Sequence, residues 1–282
     1  MAFGPLALFG SGETSKQGRQ VHEHILSRFT APVRIAIVET PAGFQPNVGL
    51  VAAKIRDFFV KSLVNHRPEV RFVPSRARES VYDPDSPIVT EPLLWADYIF
   101  AGPGSPTYTV RHLSGTRTLT LLVERWRSGT ALGLSSAAAI ASGRYVLPVY
   151  EIYKAGCELC WSDGLDLPAE LGLSLVVMPH WDNTEGGREL DTSRCFMGVE
   201  RFRYLRRLLP RDVIILGIDE HTACLIEPEL DSAVVHGAGT VTIISGDQQL
   251  VVPSGERFPL DWLRNGSPTL RRDIGSGKGL GS

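Results

Sequence analysis

Thr130-Ala-Leu-Gly-Leu-Ser-Ser-Ala-Ala-Ala-Ile-Ala-Ser142 is the stretch on which the reading of the whole chain turns. It opens apolar, turns at Gly133, presents hydroxyls at Ser135 and Ser136, and runs on as alanine. The lead-in after Trp126-Arg-Ser-Gly129 reads as a short buried strand. Ala137–Ala139 and Ala141 supply the best helix former. A tight strand-to-helix turn with a serine at its apex is a nucleophile elbow: it lifts the hydroxyl off the backbone and aims the next N–H groups at one point. Strand and helix nearly touch there, so small neighbours are needed. Gly133 lies two before Ser135 and Ala137 two after it, so Ser135 is the expected nucleophile. The plainer reading of the same residues is a serine at a helix N-cap.

Working outward, Pro5–Phe9 is an apolar strand closed by Gly10-Ser-Gly-Glu13. A helix is predicted from Gln17 to Phe29. Val33–Val38 is near-continuously apolar, as central parallel strands are. Val48–Leu63 carries Val51, Ile55, Phe58 and Phe59 on one helical stripe. Val70–Val73 and Tyr98–Ala101 are further strands, the latter ending in Gly102-Pro-Gly-Ser-Pro106; Thr107–Arg127 is mostly helical. Strands alternating with helices imply an α/β fold with a mostly parallel central sheet flanked by helices. Loops at the C-terminal strand ends then form the binding crevice. Gly10–Glu13, Gly102–Ser105 and Ser135 all fall at such ends.

Past the elbow, Leu173–Met178 is a strand ending in Pro179-His180-Trp181-Asp182, and Asp191–Leu209 reads as one amphipathic helix with Phe196, Val199, Phe202 and Leu205 inward. Val213–Ile218 runs into Asp219-Glu-His-Thr222. Short antiparallel strands follow, with turns at Gly237, Gly239 and Gly246. Residues 1–264 are expected to form one α/β domain, and the Gly/Ser-rich 265–282 a disordered tail.

The bulk numbers narrow the function classes. With 43% hydrophobic and 21% charged residues and a formal charge of −2, the chain of 282 residues gives no electrostatic case for nucleic acid or an anionic membrane. No signal-peptide pattern precedes the first strand, and no apolar run is long enough to span a bilayer. Cys157 and Cys160 have CxxC spacing, but no second pair follows at zinc-site spacing. A cytoplasmic protein with reduced thiols, no metal and no cofactor is expected. A serine nucleophile needs a base, and the base an orienting acid. Of seven histidines only His180 and His221 closely follow apolar strands in the same half of the fold as the elbow, and His180 follows its strand almost directly.

Taken together, these motifs resemble the cyanophycinase and aspartyl dipeptidase (dipeptidase E) group of serine peptidases, whose fold is like that of the class I glutamine amidotransferases. Gly10–Glu13 looks like the group's Gly-rich turn, Gly102–Ser105 like its Gly-Gly-Gly-Asn or Gly-Gly-Asp-Gln turn, and Gly133-Leu-Ser-Ser-Ala-Ala-Ala is similar to its Gly-x-Ser-Ala-Gly-Ala elbow. Trp161-Ser-Asp-Gly-Leu-Asp-Leu resembles its Pro-Gly-Leu-Gly-Leu segment. His180 followed by Arg201, Arg203 and Arg206 resembles its His and Arg-rich helix. Gly217-Ile-Asp-Glu-His-Thr-Ala223 matches its Gly-Ile-Asp-Glu-x-Thr-Ala almost letter for letter, and Val235-His-Gly-Ala-Gly-Thr-Val241 fits its last strands. The resemblance covers about residues 5–245.

What the resemblance implies is a Ser135 nucleophile, a His180 base and Glu151 as the orienting acid, with Asp182 and Glu220 as rivals. The oxyanion hole falls to the N–H groups of Ser136 and Gly104. Substrate-binding candidates are Glu13, Ser105, Asp182, Arg201 and Glu220. The implied activity is hydrolysis of a short acidic peptide, or of a β-aspartyl or γ-glutamyl link in a small conjugate, by Ser-His-acid acyl-enzyme chemistry in a homodimer. Three departures weigh toward a non-catalytic relative that binds a small metabolite or partner in the same crevice. Ser136-Ala137 stands for Ala-Gly, Ser105 for Asn or Gln, and Pro103 stiffens its turn. An ordinary α/β-hydrolase esterase also fits the Ser-acid-His order, but does not predict Gly217–Ala223.

Overall fold

In the computed structural model, which describes residues 2–266, the chain runs β1 (Leu6–Phe9), α1 (Lys16–Leu26), β2 (Arg34–Val38), α2 (Val48–Ser62), β3 (Glu69–Val73), α3 (Pro87–Trp95), β4 (Tyr98–Ala101), α4 (Pro106–Leu113), α5 (Arg117–Arg127), β5 (Ala131–Ser135) and α6 (Ala137–Ser142). It continues with β6 (Tyr145–Val146), α7 (Val149–Tyr153), β7 (Ser162–Asp163), β8 (Leu175–Met178), α8 (Gly198–Leu208), β9 (Ile214–Ile218), β10 (Thr222–Glu227), β11 (Ser232–Gly237), β12 (Thr240–Ser245), β13 (Gln248–Pro253), β14 (Arg257–Pro259) and α9 (Asp261–Asn265). The predicted helix over 107–127 is two helices, broken at Gly115, whose φ is +69°. Asn265, expected to begin the tail, ends α9. The rest of that expectation, from 267, lies outside the described residues.

The central sheet has the order β14-β11-β10-β1-β5-β4-β2-β3. β1 to β5 pair in parallel, and β10, β11 and β14 extend the sheet antiparallel beyond β1. Successive strand side chains point to opposite faces, so these buried strands feed two cores. Leu6, Leu8, Ala36, Val38, Ile99, Leu132 and Leu134 pack with Leu93 of α3, Leu122 and Trp126 of α5, and Ala138 of α6. Ala7, Phe9, Ile35, Ile37, Tyr98, Phe100 and Ala131 pack with Val21 and Ile25 of α1 and Ile55 and Phe59 of α2. On β5 the second set continues through Gly133 to Ser135, and a Cβ at Gly133 would run into the Tyr98 hydroxyl. Gly133→Ala should therefore cost about 2–3 kcal/mol through overpacking, read as a lower urea midpoint at an unchanged m-value. An unchanged midpoint would mean that Tyr98 yields.

The strand that carries His180 is not in the central sheet. β8 and β9 pair in parallel and, with β12 and β13, build a second sheet of order β13-β12-β9-β8. Its Val177, Leu216, Val241 and Ile243 share one core with Leu8 and Leu134 of the central sheet. The sheets meet at the strand ends: a Cβ at Gly10 would strike the Asp219 carbonyl, and the His180 N–H donates to the Gly10 carbonyl at 3.2 Å. This contact brings the β1, β5, β8 and β9 termini together.

Candidate active site

Ser135 and Ser136 part company at the end of β5. Ser135 is the last residue of the strand, in parallel register with Phe9. Strand parity turns its side chain to the α1 face, away from the crevice. It is fully buried and its hydroxyl donates to Glu13 Oε2 at 2.8 Å. Behind it, His22 Nε2 stands 3.0 Å from the Glu13 carbonyl and His22 Nδ1 3.0 Å from the Tyr98 hydroxyl. A carbonyl only accepts, so the proton sits on Nε2 and Tyr98 donates to Nδ1. Burial pushes the His22 pKa down to about 3, which keeps this linker neutral. The expected nucleophile and the expected substrate ligand Glu13 are thus bound to each other at the back of the elbow.

Ser136 forms the apex. Its φ of +49° and ψ of −111° lie outside the regions that L-residues favour. Such a conformation costs on the order of 1–3 kcal/mol and persists only where the surroundings dictate it. Its N–H donates to the Phe9 carbonyl at 3.3 Å, and its hydroxyl stands 3.0 Å from His180 Nε2. The expected use of the Ser136 N–H in the oxyanion hole is corrected accordingly, because that donor is taken. The Gly104 and Ala137 N–H groups, by contrast, donate to no protein acceptor among the described residues. Gly104 has a φ of +155° and sits hard against the Pro41 carbonyl, where a Cβ would collide. This close approach needs glycine.

His180 lies just past β8, at a φ of +53°. Its Nδ1 is 2.8 Å from Glu220 Oε1, just past β9. The parallel pairing of Met178 with Gly217 brings these two residues out at the same end of neighbouring strands. With a carboxylate at Nδ1, that nitrogen carries the proton, and Nε2 is left to accept from the Ser136 hydroxyl. The His180 hydrogen bond, with help from Asn183 Nδ2 at 2.9 Å, holds the Glu220 carboxyl below its ordinary range. Gly217 leaves room for the Trp181 ring, and Asp219 accepts from the Thr240 N–H and hydroxyl, both at 2.7 Å.

Glu151 is elsewhere. It lies on α7, and its Oε1 accepts from Thr107 Oγ1 at 2.5 Å. Glu220 rather than Glu151 reaches His180, a correction to the expected acid. Asp182 does not reach the imidazole either. The chain turns at His180 instead of staying extended, and Asp182 Oδ1 accepts the Glu220 N–H at 2.7 Å. Ser105 caps α4, accepting from the Tyr108 N–H at 3.2 Å. Arg201 donates to the Met197 carbonyl at 2.7 Å and the Phe196 carbonyl at 3.3 Å, holding the turn before α8. That turn replaces the first part of the predicted 191–209 helix, with positive φ at Arg194, Cys195 and Phe196, and it lays the Phe196 ring 5.5 Å from that of His180. Arg203, Arg206 and Arg207 face a separate cavity floored by Val213 and Ile215, which sit at the opposite strand ends from His180 and Glu220.

The crevice before Ser136 has a volume of about 370 Å³. Gly104, Ala137 and His180 stand at its polar end, Ile140, Val149, Tyr150 and Phe196 on its walls, and Lys154 and Glu185 also line it. Among the described residues, no group of three His, Cys, Asp or Glu side chains is placed to hold a metal ion. No helix among them is long and apolar enough to cross a membrane. Cys157 and Cys160 are exposed free thiols.

No family model and no curated protein matches the chain in sequence. Its fold does match solved structures. A peptidase from an acI-B1 Actinobacterium superposes with a TM-score of 0.72 at 23% identity, over 91% of this chain and 97% of that one. A protein provisionally assigned as peptidase E from Listeria monocytogenes EGD-e superposes with a TM-score of 0.53 at 14% identity, over 89% of this chain and 99% of that one. At these identities the likeness is one of fold: a mixed α/β architecture shared with proteins named as peptidases.

Proposed function

We propose that the chain is a serine-type peptidase or isopeptidase of the cyanophycinase-like kind, with Ser136 as nucleophile, His180 as base and Glu220 as orienting acid. The observation that carries this reading is the unbroken chain from Ser136 Oγ to His180 Nε2 at 3.0 Å and from His180 Nδ1 to Glu220 at 2.8 Å, mounted on a strained elbow. Ser136 Oγ attacks the carbonyl carbon while His180 Nε2 takes its proton. The oxyanion forms between the Ala137 and Gly104 N–H groups, preorganised dipoles that need no rearrangement as charge develops. His180 returns the proton to the leaving amine, and water then opens the acyl-enzyme by the same route. Glu220 holds the tautomer and stabilises the imidazolium. A cavity of about 370 Å³ suits a short peptide or small conjugate. The substrate class proposed is a short peptide, or a side-chain amide of the β-aspartyl or γ-glutamyl type.

A fluorophosphonate probe tests the assignment. Peptide mapping should place the adduct on Ser136, with labelling lost in Ser136→Ala. An unlabelled wild-type protein would support a binding role for the crevice instead. Ser135→Ala should still label. Its loss of the Glu13 hydrogen bond should lower stability by about 1–3 kcal/mol and slow turnover by about tenfold or less through imperfect placement of the apex. Complete loss of labelling in folded Ser135→Ala would return the nucleophile to that position.

A further inference from the structure

Arg203, Arg206 and Arg207 take no part in the crevice, and their surroundings point to a different ligand. Arg201-Phe-Arg-Tyr-Leu-Arg-Arg-Leu-Leu-Pro-Arg211 holds five arginines and no acid, in a chain whose formal charge is −2. Arg203, Arg206 and Arg207 stand at i, i+3 and i+4, so they share one face of α8. They and Arg211 line a cavity of about 430 Å³, within the range of small-molecule sites. Its floor is apolar: Val213, Ile215 of β9 and Ile244 of β12, the last two being direct cross-strand partners.

The protein matches these charges poorly. Glu200 bonds Arg203 and Asp212 bonds Arg144, both at the exposed surface. Arg206 donates to the Gly246 carbonyl, and exposed Asp247 stands 3.9 Å from it. Arg207 and Arg211 have no acidic partner among the described residues. The helix dipole favours cations in the last turn of α8, which accounts for Arg206 and Arg207. It does not account for Arg211, beyond the helix, or for an apolar floor left open beneath four guanidiniums. An anion with an apolar body satisfies both. A carboxylate brings one charge and two oxygens. A phosphate ester brings a charge of about −2 and three acceptor oxygens, which several Arg forks can share. Guanidinium faces also stack on aromatic rings.

We propose that this cavity binds a phosphate ester with an aromatic body, of nucleoside monophosphate size, with Arg207 and Arg211 on the phosphate and the ring over Ile215 and Ile244. The site is separate from the crevice: Val213 precedes β9, whose other end leads to Glu220. Its occupant is bound as a ligand away from Ser136 and His180, and is not the molecule that is cleaved.

Calorimetric titration of the full chain with AMP, adenosine and inorganic phosphate tests the site, in wild type, Arg207→Gln, Arg211→Gln and Arg19→Gln. AMP should bind at one site per chain, about tenfold or more tightly than either fragment, since only the ester meets both floor and forks. Arg207→Gln and Arg211→Gln should each weaken it by about tenfold or more, the scale of one hydrogen bond to a charged group. Arg19→Gln, on α1 and paired with Glu23, removes the same charge elsewhere and should leave the affinity unchanged. Thermal midpoints check that each variant is folded. AMP binding no tighter than inorganic phosphate would leave only a charged patch and overturn the site. So would equal weakening in Arg19→Gln, or unchanged affinity in both cavity variants. Binding to phosphatidic acid vesicles without binding of AMP would move the phosphate to a lipid headgroup and likewise overturn a small-molecule site. None of these outcomes depends on labelling of Ser136.

Discussion

Ser136→Ala should abolish turnover, with a loss in kcat on the order of 10⁶, the scale on which removing a serine nucleophile eliminates covalent catalysis. The fold should survive. Alanine at φ +49° bears the same backbone strain as serine, and the hydroxyl's partner, His180 Nε2, keeps access to the crevice. Ser136→Gly should be equally inactive yet more stable, by about 1 kcal/mol or more, because glycine adopts this conformation at little steric cost. Thermal midpoints and single-turnover rates of the two variants check both halves. A Ser136→Gly protein no more stable than Ser136→Ala would show that the apex is not strained. Substantial turnover in either would remove Ser136 from the chemistry.

Glu220→Gln should lower kcat by a factor on the order of 10⁴ with KM little changed, since an amide at this position no longer fixes the His180 tautomer or balances the imidazolium. Glu151→Gln should cost far less in kcat, as Glu151 bonds Thr107 and not His180. The same substitution has a stability signature. The folded Glu220 carboxyl titrates below its ordinary value of 4.5, chiefly through the His180 hydrogen bond. Its contribution is therefore fully present above that value, and fades as pH falls toward and through the folded pKa. As pH falls below about 4.5 the thermal midpoint of wild type should fall more steeply than that of Glu220→Gln. Parallel curves would mean that the carboxylate gains nothing from His180.

Much of this was legible from the residues alone. Alternating apolar strands and helical stripes specify a parallel sheet under helices. The turns that hold Gly10 and Gly104 were legible as strand ends; that a Cβ at either would strike backbone is a finding of the structure. His180 was recognisable because it follows an apolar strand directly. The pattern over Gly217–Ala223 already contained Glu220, although nothing in the spacing said which carboxylate would meet the imidazole.

Three matters belonged to tertiary structure. The first is a shift of one residue. Two adjacent serines after a strand differ only in where the strand stops, and pairing with Phe9 carries β5 through Ser135. Parity then sends Ser135 to the α1 face, where its hydroxyl meets Glu13, and leaves Ser136 at the apex beside His180. The second is the acid. Glu220 is 40 residues from His180 in the chain, and only the parallel pairing of β8 with β9 puts their ends side by side. The third is the turn at His180, whose positive φ sends Asp182 to the Glu220 backbone instead of along an extended strand. Local sequence specifies period and propensity. The register between strands distant in the chain, and the face each terminal residue presents, are set by the packing of the two sheets against each other.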